Sequence, residues 1–271
     1  MFEVVYILLA VLGSGMAGWI DLKTTDIPDW ITVSMILLGL GLHGVESLVV
    51  GSVDPFIASL IAVVLFGMFG GIMYFSGMWG GGDGLLLAGV GALVPVYSGY
   101  VSWLPFPIAY LFNVLIIGLV YSLIYMGIIA MRNPRVKKLF FDQFQQDYVS
   151  IGGIVLAIIF LGYSSSIKLN NFLTGTGLLI LLTPVIYLFS KIMEQNFYKR
   201  ISTKDLREGD MIGENISRLG IGKLEIRGLT KQEVTKIRKF KKNVIVRDGI
   251  RYGLVFLLAL LFTILFGFPM F

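Results

Sequence analysis

Asp21 and Asp83 are the residues of this 271-residue chain whose type and setting most invite chemistry. Both stand at the ends of apolar runs, Asp21 in Trp19-Ile-Asp-Leu-Lys-Thr-Thr-Asp-Ile-Pro-Asp29 and Asp83 in Gly80-Gly-Gly-Asp-Gly84. An ionisable group in such a place is costly unless it is paired or used. Two facing carboxylates cannot easily both ionise, so one keeps a proton while the other stays charged. Aspartyl hydrolysis of a peptide needs that pairing. The carboxylate takes a proton from water, and the acid protonates the carbonyl oxygen or the leaving amine. Gly80, Gly82 and Gly84 frame the second aspartate. Lacking Cβ atoms, they are expected to let the backbone turn sharply and a substrate approach closely. A plainer role for them is helix packing, with Asp83 only marking a helix end. Asp26 and Asp29 read as solvated loop residues near a possible substrate entrance, with Pro28 opening the next helix.

Other chemistries fit less well. The chain has no cysteine and a single histidine, His43, so thiolate nucleophiles, disulfides and the usual zinc sites are excluded. Ser14, between Gly13 and Gly15, could pair with His43 as a serine protease. Counted from the inner face, however, Ser14 lies about 10 Å deep and His43 about 20 Å deep. A nucleophile and its base must come within about 3 Å. No metal and no cofactor is expected. The rival from another class is an ion-coupled transporter or channel, with the aspartates and Glu46 lining an ion path through a glycine-broken fourth span.

The elements that position these residues are membrane helices. The chain is 56% hydrophobic and only 14% charged, with mean hydropathy +0.84, where a soluble domain carries about 25% charged residues. Apolar runs of about 20 residues recur, the length a bilayer demands. They predict an all-α polytopic membrane protein of about eight spans, at Val4–Ile20, Trp30–Val50, Phe56–Met78, Gly84–Gly99, Leu104–Met131, Val149–Ile167, Phe172–Met193 and Ile250–Met270. The first run has no basic flank or cleavage site and is read as a mature helix. With the N-terminus outside, 21 of the 22 lysines and arginines fall on the cytoplasmic side and only Lys168 outside, as the positive-inside rule requires. Both aspartates then lie at one depth, on the cytoplasmic face.

Residues 194–249 form the one long polar stretch. They are expected to make a small α/β cytoplasmic domain between a membrane catalytic domain, 1–193, and a final helix, 250–271. Lys223–Arg227 and Val244–Arg247 read as short strands. Thr230-Lys-Gln-Glu233 fits a capping box, with Val234 and Ile237 as the apolar face of the helix that follows. The insert carries 14 basic and 8 acidic residues. That charge suits anionic lipid headgroups, and no basic–aromatic interleaving points to nucleic acid.

The segment Asp21-Leu-Lys-Thr-Thr-Asp-Ile-Pro-Asp29, followed 62 residues after Asp21 by the Gly-x-Gly-Asp motif ending at Asp83, resembles the archaeal type IV prepilin and preflagellin peptidases. These are GXGD membrane aspartyl proteases, which share that motif with presenilin and signal peptide peptidase. The Ile-Pro-Asp tail is closer to the prepilin branch, and the resemblance covers roughly residues 5–130. It implies that Asp21 and Asp83 are catalytic and that the substrates are pilin or flagellin precursors with short basic leaders before a hydrophobic helix. A second similarity, to a C-terminal region of euryarchaeal prepilin peptidases, runs through Asp205-Leu-Arg-Glu-Gly-Asp210, Arg227-Gly-Leu-Thr-Lys-Gln-Glu-Val234 and Val244-Ile-Val-Arg-Asp-Gly-Ile250. The bacterial enzymes' N-terminal cysteine-rich segment is missing, which puts N-methylation in doubt.

Overall fold

Proline and glycine set most of the helix ends. The computed structural model describes residues 2–76, 78–99, 104–132, 138, 142, 145–166, 198–220, 228–247 and 250–267. Helix α1 (Phe2–Thr24) stops where Thr25 takes a left-handed φ of 59°. Pro28 is the N-cap residue of α2 (Asp29–Val50), which ends on left-handed Gly51. α3 (Asp54–Phe75) has a proline in its first turn. α4 (Gly81–Leu93) stops two residues short of Pro95. Proline has no N–H to continue the ladder and disfavours helix in the residue before it. The fourth span, predicted to run to Gly99, is therefore shorter, and it starts three residues earlier than Gly84. α5 (Phe106–Arg132) and α6 (Tyr148–Ser166) follow, and α8 (Gly253–Phe266) comes last. The last span was expected from Ile250 to Met270. It begins at Gly253 instead, leaving Arg251 outside the helix.

Four of these helices, α1, α2, α3 and α5, are long and apolar enough to cross a membrane. α4, α6 and α8 are apolar helices with shorter windows. The span predicted at 172–193 and the strand predicted at Lys223–Arg227 lie outside the described residues.

The chain divides into two compact units. One combines Met1–Ser122 with Gly249–Phe268, and Leu123–Asp248 makes up most of the other. The first unit is apolar outside as well as inside, with small residues among the buried ones. Leu12, Leu37, Leu48, Leu65 and Ile72 are exposed, while Ala10, Ser14, Ala17, Ser59 and Ala88 are buried. In water this would be an aggregating surface. In lipid it is the expected one, because small residues let helix backbones approach. The unit belongs to a multi-pass membrane protein.

α4 lies at its centre, with Gly84 and every residue from Leu86 to Leu93 buried. Glycine makes that possible. A Cβ on Gly70 of α3 would stand 2.5 Å from the Cα of Gly84, and one on Gly39 of α2 would stand 2.6 Å from the carbonyl of Ala92. At 13 residues, α4 is about 20 Å long, short of the roughly 30 Å hydrocarbon layer. Its final carbonyls would be orphaned in that setting. Ser59 Oγ donates to Ala92 O at 2.7 Å and His43 Nε2 to Leu93 O at 3.3 Å, while the Val94 N–H takes Val90 O. His43 is thus a packed residue, 5% exposed, with Nδ1 3.0 Å from Glu46 Oε2, which also accepts from Tyr6 Oη at 2.8 Å.

The polar part of the second unit folds as a three-stranded antiparallel sheet, order β1-β3-β2, from β1 (Tyr198–Ser202), β2 (Met211–Ile212) and β3 (Asn243–Arg247). Helix α7 (Lys231–Phe240) has the expected capping box: the Glu233 N–H donates to Thr230 Oγ1, and the Thr230 N–H to Glu233 Oε2. Val234 and Ile237 join Leu206, Ile212, Val244 and Val246 in its core.

Candidate active site

α1 runs on to Thr24, so Asp21 occupies its last turn and is 5% exposed. Asp83 is the third residue of α4, and its Oδ2 accepts the Gly80 N–H at 2.9 Å. An acceptor here satisfies one of the free donors at a helix start. The two carboxylates lie within electrostatic reach of each other. The fold therefore brings together the pair that the sequence singled out, through contact of α4 with α1, α2 and α3.

The glycines beside Asp83 act differently from the expectation of a sharp turn. Gly80 has an ordinary extended conformation, φ −73°, and neither Gly81 nor Gly82 takes a positive φ. Their contribution is close packing. A Cβ on Gly82 would lie 2.7 Å from the Ile27 Cβ and 3.0 Å from its carbonyl oxygen. Gly84 faces Gly70 at similar range. Trp79, just before the motif, is buried against Phe69, Tyr252 and Phe256.

Asp26 and Asp29 are exposed in the turn between α1 and α2 and at the first residue of α2. Partial desolvation, and then the charge of Asp29, raise the pKa of the Asp26 carboxyl, against a lowering hydrogen bond from the Ile27 backbone. Asp26 is also within electrostatic reach of Asp21.

Sequence reasoning missed the segment Arg251-Tyr252-Gly253. The Gly253 N–H donates to Asp21 Oδ2 at 2.7 Å. Arg251 lies within electrostatic reach of Asp21, and Tyr252 within reach of Asp83. One signal was available: Arg251 fell inside a predicted span, where a charge is costly unless it has a task.

The serine-protease pairing is absent. Ser14 Oγ donates to Ala10 O at 2.6 Å, and both ring nitrogens of His43 are engaged elsewhere.

Residues 6–126 match the type IV leader peptidase family. The chain is 34% identical over 91 residues to a preflagellin peptidase of Methanocaldococcus jannaschii, covering 34% of this chain and 38% of that one. It is 32% identical over 125 residues to a preflagellin peptidase of Methanococcus voltae, covering 41% and 52%. To the prepilin peptidase EppA of Methanothermobacter thermautotrophicus it is 29% identical over 149 residues, covering 50% and 38%. The chain thus spans about half or less of the length of these relatives. No solved structure matches. The matched stretch contains both aspartate motifs, and over residues 6–126 this chain is similar to the type IV leader peptidase family.

Proposed function

We propose that this protein is an intramembrane aspartyl endopeptidase that removes short basic leaders from type IV pilin-like or flagellin precursors at the cytoplasmic membrane face. The observation that carries this reading is that Asp21 and Asp83, 62 residues apart in sequence, lie within electrostatic reach of each other on neighbouring helices.

In the reaction, one carboxylate of the pair takes a proton from water as it attacks the scissile carbonyl. The other delivers its proton to the carbonyl oxygen, and the leaving amine is protonated as the intermediate collapses. No nucleophile on the protein and no metal is required. Asp26 and Asp29, exposed beside Asp21, give the entrance a negative charge that suits a basic leader. The N-terminus is assigned to the outside, which puts both aspartates and the insert 194–249 in the cytoplasm. The catalytic groups belong to 1–193, assisted by the final helix in 250–271. The insert docks on anionic lipid headgroups.

The purified protein is incubated with a panel of leader-bearing precursors and the new N-termini are sequenced. Cleavage after a basic leader, just before the hydrophobic helix, is expected. A folded protein that cuts none of the panel would return the ion-transporter reading to first place.

A further inference from the structure

The head of α8 is a third component of the site, and it meets Asp21 from a part of the sequence far from either aspartate. Gly253 is buried, and its N–H is 2.7 Å from Asp21 Oδ2. A Cβ there would stand 3.0 Å from the Asp21 Cβ and 3.1 Å from Oδ2. Only a residue without a side chain brings its amide this close at no steric cost. The preceding residue is tied down. The Tyr252 hydroxyl donates to Val114 O at 3.2 Å, and it occupies the place where a side chain on Gly118 would have to go. Its ring packs on Trp79 at 5.7 Å and on Phe256 at 5.8 Å. Arg251 completes the turn, with a buried Nε that has no hydrogen-bond partner.

A carboxylate on two side-chain torsions, at a site shielded from water, has few groups to hold it in one orientation. A backbone amide on a packed helix is a donor that cannot rotate away. We propose that Gly253 is a positioning residue for the aspartate pair: its amide, anchored through Tyr252, holds the Asp21 carboxylate in the orientation that water activation requires. The proposal rests on the protease reading above and adds the last helix to the apparatus of the first and fourth.

The sharpest test deletes the N–H, leaving the side chains intact and weakening only the Tyr252 carbonyl that accepts the Val255 N–H at 2.9 Å. Glycolic acid is incorporated in place of Gly253 in the full-length protein, turning the amide into an ester. Loss of a hydrogen bond to a charged group, with the misplacement that follows, lowers kcat by about tenfold to a hundredfold. KM is expected to stay near wild type, and the melting temperature to fall by no more than in the packing control below. Gly253→Ala keeps the donor but pushes on Asp21, and should also lose kcat rather than KM. Gly39→Ala is the packing control. A Cβ there would stand 2.6 Å from the Ala92 carbonyl, so it overpacks α4 at the end away from both aspartates and Gly253, and it should lower the melting temperature more than kcat. An ester variant with wild-type kcat would overturn the proposal, as would losses in kcat that only track melting and are matched by Gly39→Ala. If the wild-type protein releases no leader at all, the protease reading falls and this proposal with it. A wild type that cleaves beside an ester variant that cleaves equally fast sinks the proposal alone.

Discussion

The backbone N–H of Gly253 donates to Asp21 Oδ2 over 2.7 Å, joining residues 232 positions apart. The first and last helices close on each other at this point, since a Cβ on Gly18 would meet the Leu254 backbone and one on Gly253 would meet Asp21. One candidate catalytic carboxylate is held by the last helix, and the other accepts the Gly80 N–H beside its own helix start. Each aspartate therefore has its own fixed donor, which leaves the remaining geometry to helix packing.

The pair itself gives the first prediction. Asp21→Asn and Asp83→Asn each abolish release of a leader peptide, and the double variant is no worse than either single one, because the two act as one unit. Glutamate at either place also fails, since an extra methylene moves the carboxylate by roughly an ångström. Activity follows a bell-shaped pH profile that belongs to the pair. The assay is cleavage by purified variants whose melting temperatures match wild type, and substantial turnover by Asp83→Asn would refute the assignment.

The entrance aspartates predict a pH effect on binding. The Asp26 carboxyl titrates above the ordinary carboxylate value because of its partial burial and the neighbouring Asp29. As pH falls through that raised pKa, the entrance loses negative charge and KM for a basic leader rises. The rise should begin above the usual aspartate pKa of about 3.9. Asp29→Asn removes a charge that disfavours ionisation of Asp26 and moves the inflexion to lower pH. Asp26→Asn abolishes it. The effect weakens with salt. If the double Asn variant lost kcat while still binding substrate, one of these residues would belong to the chemistry.

Close packing around α4 is tested by contrast. Gly70→Ala puts a methyl 2.5 Å from the Gly84 Cα, whereas Gly67→Ala on the same helix meets nothing within 4 Å. Overpacking of this kind costs about 1–3 kcal/mol, so Gly70→Ala should melt well below Gly67→Ala in the same detergent. Equal melting temperatures would mean that α3 and α4 are not held at this distance.

His43 is predicted to matter for stability and not for chemistry. Its removal leaves the Leu93 carbonyl without its donor and takes a partner from Glu46. An unsatisfied buried group costs about 1–3 kcal/mol. His43→Ala should therefore lower the melting temperature while its kcat, measured well below that temperature, stays close to wild type. A folded His43→Ala protein without turnover would reopen the question of a second catalytic group.

Orientation can be read directly, because the chain contains no cysteine. Single cysteines at Lys138 and Lys204 should react with an impermeant reagent only from the cytoplasmic side, and one at Asp54 only from outside. Labelling of Lys204→Cys from outside intact cells would strand both aspartates on the wrong face.

What the sequence determined by itself is local. Apolar run length gave α1, α2, α3 and α5 nearly to their ends, because the cost of exposing backbone and charge to lipid acts residue by residue. The Thr230–Glu233 cap and the Val244–Arg247 strand could be read for the same reason, since their partners or periods lie within a few residues. The two aspartate motifs stood out because a carboxylate beside an apolar run is expensive wherever the chain goes. The tertiary structure alone decided what those residues meet. Glycines expected to turn the chain instead let helices touch, which depends on Ile27 and Gly70 arriving from elsewhere. His43, weighed in the sequence only as a base for Ser14, serves the end of a helix 50 residues away. Gly253 reads as one glycine among 33, and becomes part of the site only when the last helix packs against the first. Such contacts rest on shape complementarity between distant segments, which no local pattern of residue types encodes.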